Sequence, residues 1–299
     1  MPIDRSAAEN FIWSTARLVD CHRYALLFED GPAQAVVEAL RGYRNPDGGF
    51  GHALEPDLRC PSSQPAPTLY ALEMLVEARA VDSELARGAR AWIASIAELD
   101  GGIPMVLPGF ESYPHSPWMA PEPGSFLTLA LAAALHAGRV GDGEWLVRAT
   151  EWCWSSIEAN EQPGGYWLEF ACRFLDAVPD GQRARAAMDS LVARIDTSAF
   201  APAAGVEGEQ LRPLDISPRP GSRSRRLFSE EQIEAHLDVV EAEQQQDGGW
   251  MFDWLTWSPA QTNDWRGTVT IRALTWLRAN GRLGTGCTRR LESEAAQPR

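Results

Sequence analysis

Positive charge is scarce in this sequence. Its 27 lysines and arginines stand against 41 aspartates and glutamates, a formal net charge of -14 over 299 residues. A nucleic-acid partner, which requires a basic face, is not expected. Cysteine is scarce too. The five residues, at 21, 60, 153, 172 and 287, have no close metal-type spacing and leave one unpaired. They read as reduced thiols of a cytoplasmic protein, with no metal and no cofactor. Long apolar runs are missing. The longest, Phe126 to Leu135, is broken by Thr128 and is too short to span a bilayer. Asp4, Arg5 and Glu9 surround the first residues, so no signal peptide is expected. Alternating β-branched runs are rare, whereas stretches rich in Ala, Leu and Glu are common, which predicts an all-α class. No linker or low-complexity block divides the chain, and 44% hydrophobic residues suffice for a core. A single domain over residues 1–299 is expected.

What is present is a recurring punctuation. Asn45 to Pro65 reads NPDGGFGHALEPDLRCPSSQP. Its Pro and paired Gly stop a helix that carries Val36, Val37, Leu40 and Tyr43 on one face. Asp100-Gly101-Gly102-Ile103, Pro163-Gly164-Gly165-Tyr166 and Asp247-Gly248-Gly249-Trp250 repeat the pattern. The intervals accommodate two helices and their loops, so the chain reads as a repeat of helical hairpins.

Periodicity predicts helices over Ser6–Phe28, Pro32–Tyr43, Ala66–Ala80, Ser83–Glu98, Gly124–Ala137, Glu144–Ala159, Tyr166–Ala177, Gly181–Ile195, Ser229–Gln245 and Asp264–Ala279, with a short last one over Thr288–Ala296. The third, fifth and tenth are apolar nearly all round and therefore buried on two sides. The second, fourth, sixth and ninth are amphipathic. This alternation predicts an inner and an outer ring. Six such pairs close a toroid, with the fifth inner position falling in the irregular 196–227 segment.

Gln245, Gly248 and Trp250 fit the Gln-x(2–5)-Gly-x-Trp core of the QW repeat of squalene and oxidosqualene cyclases, and Asp47-Gly48-Gly49-Phe50 is a variant of it. The chain thus resembles the terpenoid cyclase/prenyltransferase α/α toroids. The resemblance implies an (α/α)6 barrel of helical hairpins in which these repeats are structural. The family's catalytic signatures are missing. There is no Asp-x-Asp-Asp, no Asp-Asp-x-x-Asp, no Asp-x-Cys of protein prenyltransferases, no thioester motif and no lanthionine-cyclase zinc set. Any activity must use other residues.

Candidate residues cluster in loops. Glu55-Pro56-Asp57-Leu58-Arg59 lies just before an inner helix. A carboxyl there, buried in an apolar cavity, has a raised pKa and can protonate a substrate; the alternative is an Asp57–Arg59 pair bracing the loop. Asp253 and Asp264 are alternate acids. Trp254, Trp257 and Trp265 lie where the chain enters the last inner helix and, with Trp118, can line a cavity and shelter a cation; the alternative is core packing, the better assignment for Trp250. His115 lies in the long loop from Asp100 to Pro123 and joins Glu55 and Arg59 as a substrate contact. Arg219, Arg223, Arg225 and Arg226 can grip a diphosphate or carboxylate, although ion pairs with neighbouring acids explain them more simply.

Three functions fit these features. One is a metal-independent cyclase acting on an apolar isoprenoid, with Asp57 as the acid. The second is a carbohydrate-active α/α-barrel hydrolase or lyase. The third is a non-catalytic toroid that binds a small molecule or a protein. The loops after Gly49, Gly102 and Gly249 are expected to meet at one mouth, bringing Glu55, Asp57, Arg59, His115, Trp118, Asp253, Trp254 and Asp264 together.

Overall fold

A computed structural model of the chain describes residues 3–141, 143–195 and 211–283. Among the described residues there are helices and two isolated β-bridges, Arg44–Phe50 and Leu58–His115, and no strand. The α-helices are α1 (Arg5–Thr15), α2 (Leu18–Phe28), α3 (Ala33–Leu40), α4 (Pro65–Glu77), α5 (Glu84–Ile96), α6 (Leu127–Ala137), α7 (Glu144–Ala159), α8 (Gly165–Ala177), α9 (Gly181–Arg194), α10 (Pro213–Ile216), α11 (Glu230–Ala242) and α12 (Pro259–Ala279). No described helix is long and apolar enough to cross a membrane.

Most boundaries follow the apolar period, with two informative exceptions. The stretch expected as one helix over Ser6–Phe28 is two. Ala16 and Arg17 are extended, and Arg17 swings its guanidinium onto the carbonyls of Ala53 and Leu54, 3.1 and 2.8 Å away. A tertiary contact causes this break, so no Gly or Pro marks it. Helix α12 begins at Pro259 rather than Asp264. Gln261 Oε1 accepts the backbone N–H groups of Trp257 and Ser258 and closes its first turn. Ser258-Pro259-x-Gln261 is a helix-start signature that counting apolar residues passes over. The irregular 196–227 segment contains α10 and a 3-10 turn at Arg223–Leu227; its residues 196–210 and the expected helix over Thr288–Ala296 lie outside the described residues.

The even-numbered helices are neighbours in sequence order. α2 touches α12, α4 touches α6, α6 touches α8 and α8 touches α10. Ion pairs supply the remaining links: Arg23 to Glu77 at 2.6 Å joins α2 to α4, and Arg272 to Asp215 at 3.6 Å joins α12 to α10. Each even-numbered helix also packs against an odd-numbered one beside it. α6 buries every residue from Leu127 to Leu135, as expected for a helix covered on two sides.

Three of the four Gly-Gly turns are built alike. Asp47, Asp100 and Asp247 each accept, through Oδ1, the N–H of the second glycine at 2.9–3.1 Å. The first glycine has φ of 96, 98 and 91° at Gly48, Gly101 and Gly248. That region suits glycine, and space also demands it: a Cβ at Gly248 would lie 2.1 Å from the carbonyl oxygen of Ala7 in α1. The next residue donates its N–H to a buried threonine of the following even-numbered helix: Phe50 to Thr68, Ile103 to Thr128, Trp250 to Thr270. The turn at Pro163-Gly164-Gly165 departs from the pattern. Proline replaces the aspartate, Gly164 is extended, and Gly165 already belongs to α8.

Trp250 is 2% exposed, and its indole N–H reaches the Val240 carbonyl at 2.7 Å. Trp250→Ala is expected to lose about 3–5 kcal/mol, the usual cost of truncating a buried aromatic, as measured by urea unfolding. Gly248→Ala, which meets both a disfavoured φ and the Ala7 carbonyl, is expected to unfold at lower urea than wild type.

Candidate functional site

The loop between the 3-10 turn at Arg41–Tyr43 and α4 is held from three sides. Arg17 grips its Ala53 and Leu54 carbonyls. Gln64 exchanges two hydrogen bonds with the backbone of Leu107. Residues 57–59 pair with the 114–116 segment, through Arg59 N–H to Pro114 and Ser116 N–H to Asp57. His52 and Ala53 adopt positive φ, 56 and 61°, which turns the chain inward. Glu55 and Asp57 are consequently buried, 5% and 8% exposed.

The Asp57 carboxyl is held through one oxygen. Oδ1 accepts the Gln261 amide at 2.5 Å and the Trp265 indole N–H at 2.6 Å. Burial pushes its pKa up to about 6, against the lowering effect of those two donors. When the carboxyl is protonated, the proton therefore sits on Oδ2, the oxygen without these donors. Glu55 is pushed well above the usual carboxylate range, first by burial and then by the charge of Asp57; the backbone N–H groups of Asp57 and Leu58 and the charge of Arg17 act the other way. Its Oε2 is buried with no hydrogen-bond partner among the described residues. A buried carboxylate oxygen left in that state is costly, which favours the neutral acid.

Aromatic rings surround this pair of acids. Trp265 meets the edge of Trp254 at 4.9 Å between centroids and Tyr70 at 6.4 Å, and Phe252 lies 4.8 Å from Trp254. The Tyr70 phenol is raised by burial first and then by the charges of Glu55, Glu73 and Asp57.

The other expected residues fall into separate positions. Arg59 binds Asp264 at 2.6 Å, so the brace expected between Asp57 and Arg59 runs to Asp264 instead. Trp118 and Trp257 pack edge to face at 5.4 Å, and His115 packs against Phe110 at 4.7 Å. Both pairs belong to the loops that flank the acid. Asp253 is exposed and pairs with Arg212 at 3.6 Å. The cause is local: residues 250–255 alternate between inward and outward, so Asp253 and Trp254 cannot both face in. The arginine cluster is engaged structurally. Arg223 binds the carbonyls of Leu175 and Asp176, Arg225 binds Asn280, and Arg226 binds Asp189 at 2.5 Å.

Sequence reasoning missed Gln261 and Tyr70, and it also missed a band of charges deeper on the even-numbered helices. Arg173 bridges Glu73 of α4 at 3.1 Å and Glu169 of its own helix at 2.5 Å. Arg272 of α12 pairs with Asp215 and stacks on Trp254 and Trp276. Glu73 and Arg173 keep 36% and 37% of their side-chain surface accessible. The signal was present: Tyr70, Glu73 and Glu77 share one face of a helix that is otherwise apolar.

No protein-family model matches the sequence, and no curated protein matches it. Solved structures do resemble its fold. A protein from Actinoplanes superposes with a TM-score of 0.52 at 16% identity, over 92% of this chain and 89% of that one. A variant of the type II terpene cyclase MstE from Scytonema, in complex with its substrate geranylgeranyl dihydroxybenzoate, gives 0.50 at 16% identity, covering 93% of this chain and 87% of that chain. A second MstE variant, with the product merosterolic acid A, gives 0.52 at 17% identity over the same shares. At these identities the likeness is one of fold.

Glu55 generates a stability test. Its folded-state pKa is raised, so the folded chain binds this proton more tightly than the unfolded chain. Stability from this source is full below the unfolded value and falls as pH rises through the folded one. Glu55→Gln removes the titration. The variant is expected to be about 1–3 kcal/mol more stable than wild type at pH 8, the scale of a buried unmade polar contact. The gap should close towards pH 4 in thermal melts.

Proposed function

We propose that the chain is a single (α/α)6 toroid, with the even-numbered helices inside. In this reading it is a terpenoid cyclase-like enzyme that starts a carbocation reaction on an apolar isoprenoid by proton transfer from Asp57. One observation carries the reading: a buried carboxyl, its pKa raised to about 6, is fixed by two N–H groups on Oδ1 and walled by Trp254, Trp265 and Tyr70. The fold likeness to MstE supports it.

The chemistry follows from that geometry. The Oδ2–H bond of protonated Asp57 breaks as the alkene π pair forms a new C–H bond, and the neighbouring carbon becomes cationic. The carboxylate left behind keeps its two hydrogen bonds on Oδ1, which stabilises its new charge. A second alkene supplies its π pair to the cation and closes a ring. The faces of Trp254, Trp265 and Tyr70 offer the cation negative quadrupole. The final cation gives a proton from an adjacent carbon to water, the C–H pair becoming a new double bond, and Asp57 is reprotonated from solvent. Asp264, paired with Arg59, and Asp253, exposed and paired with Arg212, are left with no part in proton donation.

A carbohydrate-active reading rests on a different observation. Glu73 and Glu169 face each other across Arg173, and burial holds Glu169 at a pKa of about 7, a value suited to a general acid. Glycan turnover that survives Asp57→Asn and is lost in Glu169→Gln would favour it.

The test of the leading reading uses polyprenyl substrates carrying a geranylgeranyl chain, with products followed by mass spectrometry. Asp57→Asn is expected to lower turnover by about 10²–10⁴-fold, the range supplied by a general acid, while the variant still melts cooperatively. Wild-type turnover should fall as pH rises through about 6, because the reactive form is the protonated one. Full activity in Asp57→Asn would remove Asp57 from the chemistry.

A further inference from the structure

The charged band below Asp57 has no place in a carbocation reaction. Ionised carboxylates capture cations, and guanidinium groups repel them. A hydrocarbon alone would also leave Glu73 and Arg173 facing apolar surface, at the cost of stripping their water. Yet both keep more than a third of their side-chain surface accessible. The band must meet something polar.

Its depth can be read along α12. Gln261 and Trp265 hold Asp57 at one level, and Arg272 lies further down the same helix. At 1.5 Å per residue the separation is about 10–16 Å. Tyr70 stands between the levels on α4, in range of Glu55 and Asp57 on one side and Glu73 on the other. The buried Glu55 Oε2 has no hydrogen-bond partner among the described residues. Polar groups thus run from the acid towards the band.

The composition of the band selects the ligand. Three acids, Glu73, Glu169 and Asp215, meet two bases, Arg173 and Arg272, and both bases are already paired. An incoming diphosphate or carboxylate would find both guanidinium groups already engaged by carboxylates. A hydroxyl group fits instead. It can donate to a carboxylate oxygen and accept from a guanidinium N–H without bringing charge.

Resting on the cyclase reading above, we propose that the substrate is an amphiphile with an uncharged, hydroxyl-bearing head. The head is held by Glu73 and Arg173, with the far end of the isoprenoid chain at Asp57. The distance between the two levels thereby fixes which end of the chain is protonated.

The test measures binding rather than turnover. Tryptophan fluorescence of the full chain is titrated with geranylgeraniol, geranylgeranyl diphosphate and phytane, which share a branched isoprenoid carbon skeleton and differ in the head, phytane being saturated as well. Geranylgeraniol is expected to bind at least tenfold more tightly than either of the others. Glu73→Gln should weaken geranylgeraniol at least fivefold and leave phytane unchanged, and Asp57→Asn should leave the ranking as in wild type. Tighter binding of the diphosphate, or equal binding of geranylgeraniol and phytane, overturns the head-group assignment while leaving the isoprenoid reading intact. Absence of binding by all three overturns both. The ligand ranking is obtained on wild-type protein, so the outcome does not depend on the folding of any variant.

Discussion

Everything in this molecule depends on one repeated hydrogen bond. The residue after each Asp-Gly-Gly turn gives its N–H to a threonine buried inside the next even-numbered helix. The bond satisfies a backbone donor at a place where water cannot reach, and a buried unpaired N–H is expensive. It also sets the height at which each loop meets its helix. Asp47 strengthens the first copy by accepting the indole N–H of Trp92 from α5, and Asp247 strengthens the last by receiving both Nη groups of Arg266. With these joints fixed, the loops that follow them have a defined starting point, and Glu55 and Asp57 are carried inward from the first.

The site is then a matter of opposed electrostatic effects. Burial raises both acids, and the two N–H donors on Asp57 partly offset that rise. Around Arg17, Arg59 and Arg173 the same chain uses the opposite solution, pairing each arginine with a carboxylate. Acids of raised pKa near aromatic rings and charges paired in place are two ways of placing polar groups in a low-dielectric interior.

Much of this was legible in the residues. The helices came from apolar period, and Asp57 from its place in a proline-bracketed acidic loop before an apolar helix. The turn repeat was read at four places and holds at three. At Pro163 the missing aspartate was the visible warning. What was hidden depends on tertiary contacts. The Ala16–Arg17 break exists because Arg17 reaches a loop distant in sequence. Gln261 falls before the expected start of its helix and Tyr70 lies among the apolar residues of α4, so neither stands out until its partner is known. Asp253 was grouped with its aromatic neighbours because the local run is dense, although strict alternation already places it on the other side from Trp254.

Gln261 joins two otherwise separate parts of the protein. Its oxygen receives the N–H groups of Trp257 and Ser258, and its amide nitrogen points at Asp57. Both ends being engaged, the amide has no freedom to flip. A glutamate at this position would keep the helix start and lose the donor; a lysine would keep a donor and lose the helix start. The residue behaves as a one-way connector, and drift at position 261 is confined by two demands that no other side chain of that length meets together.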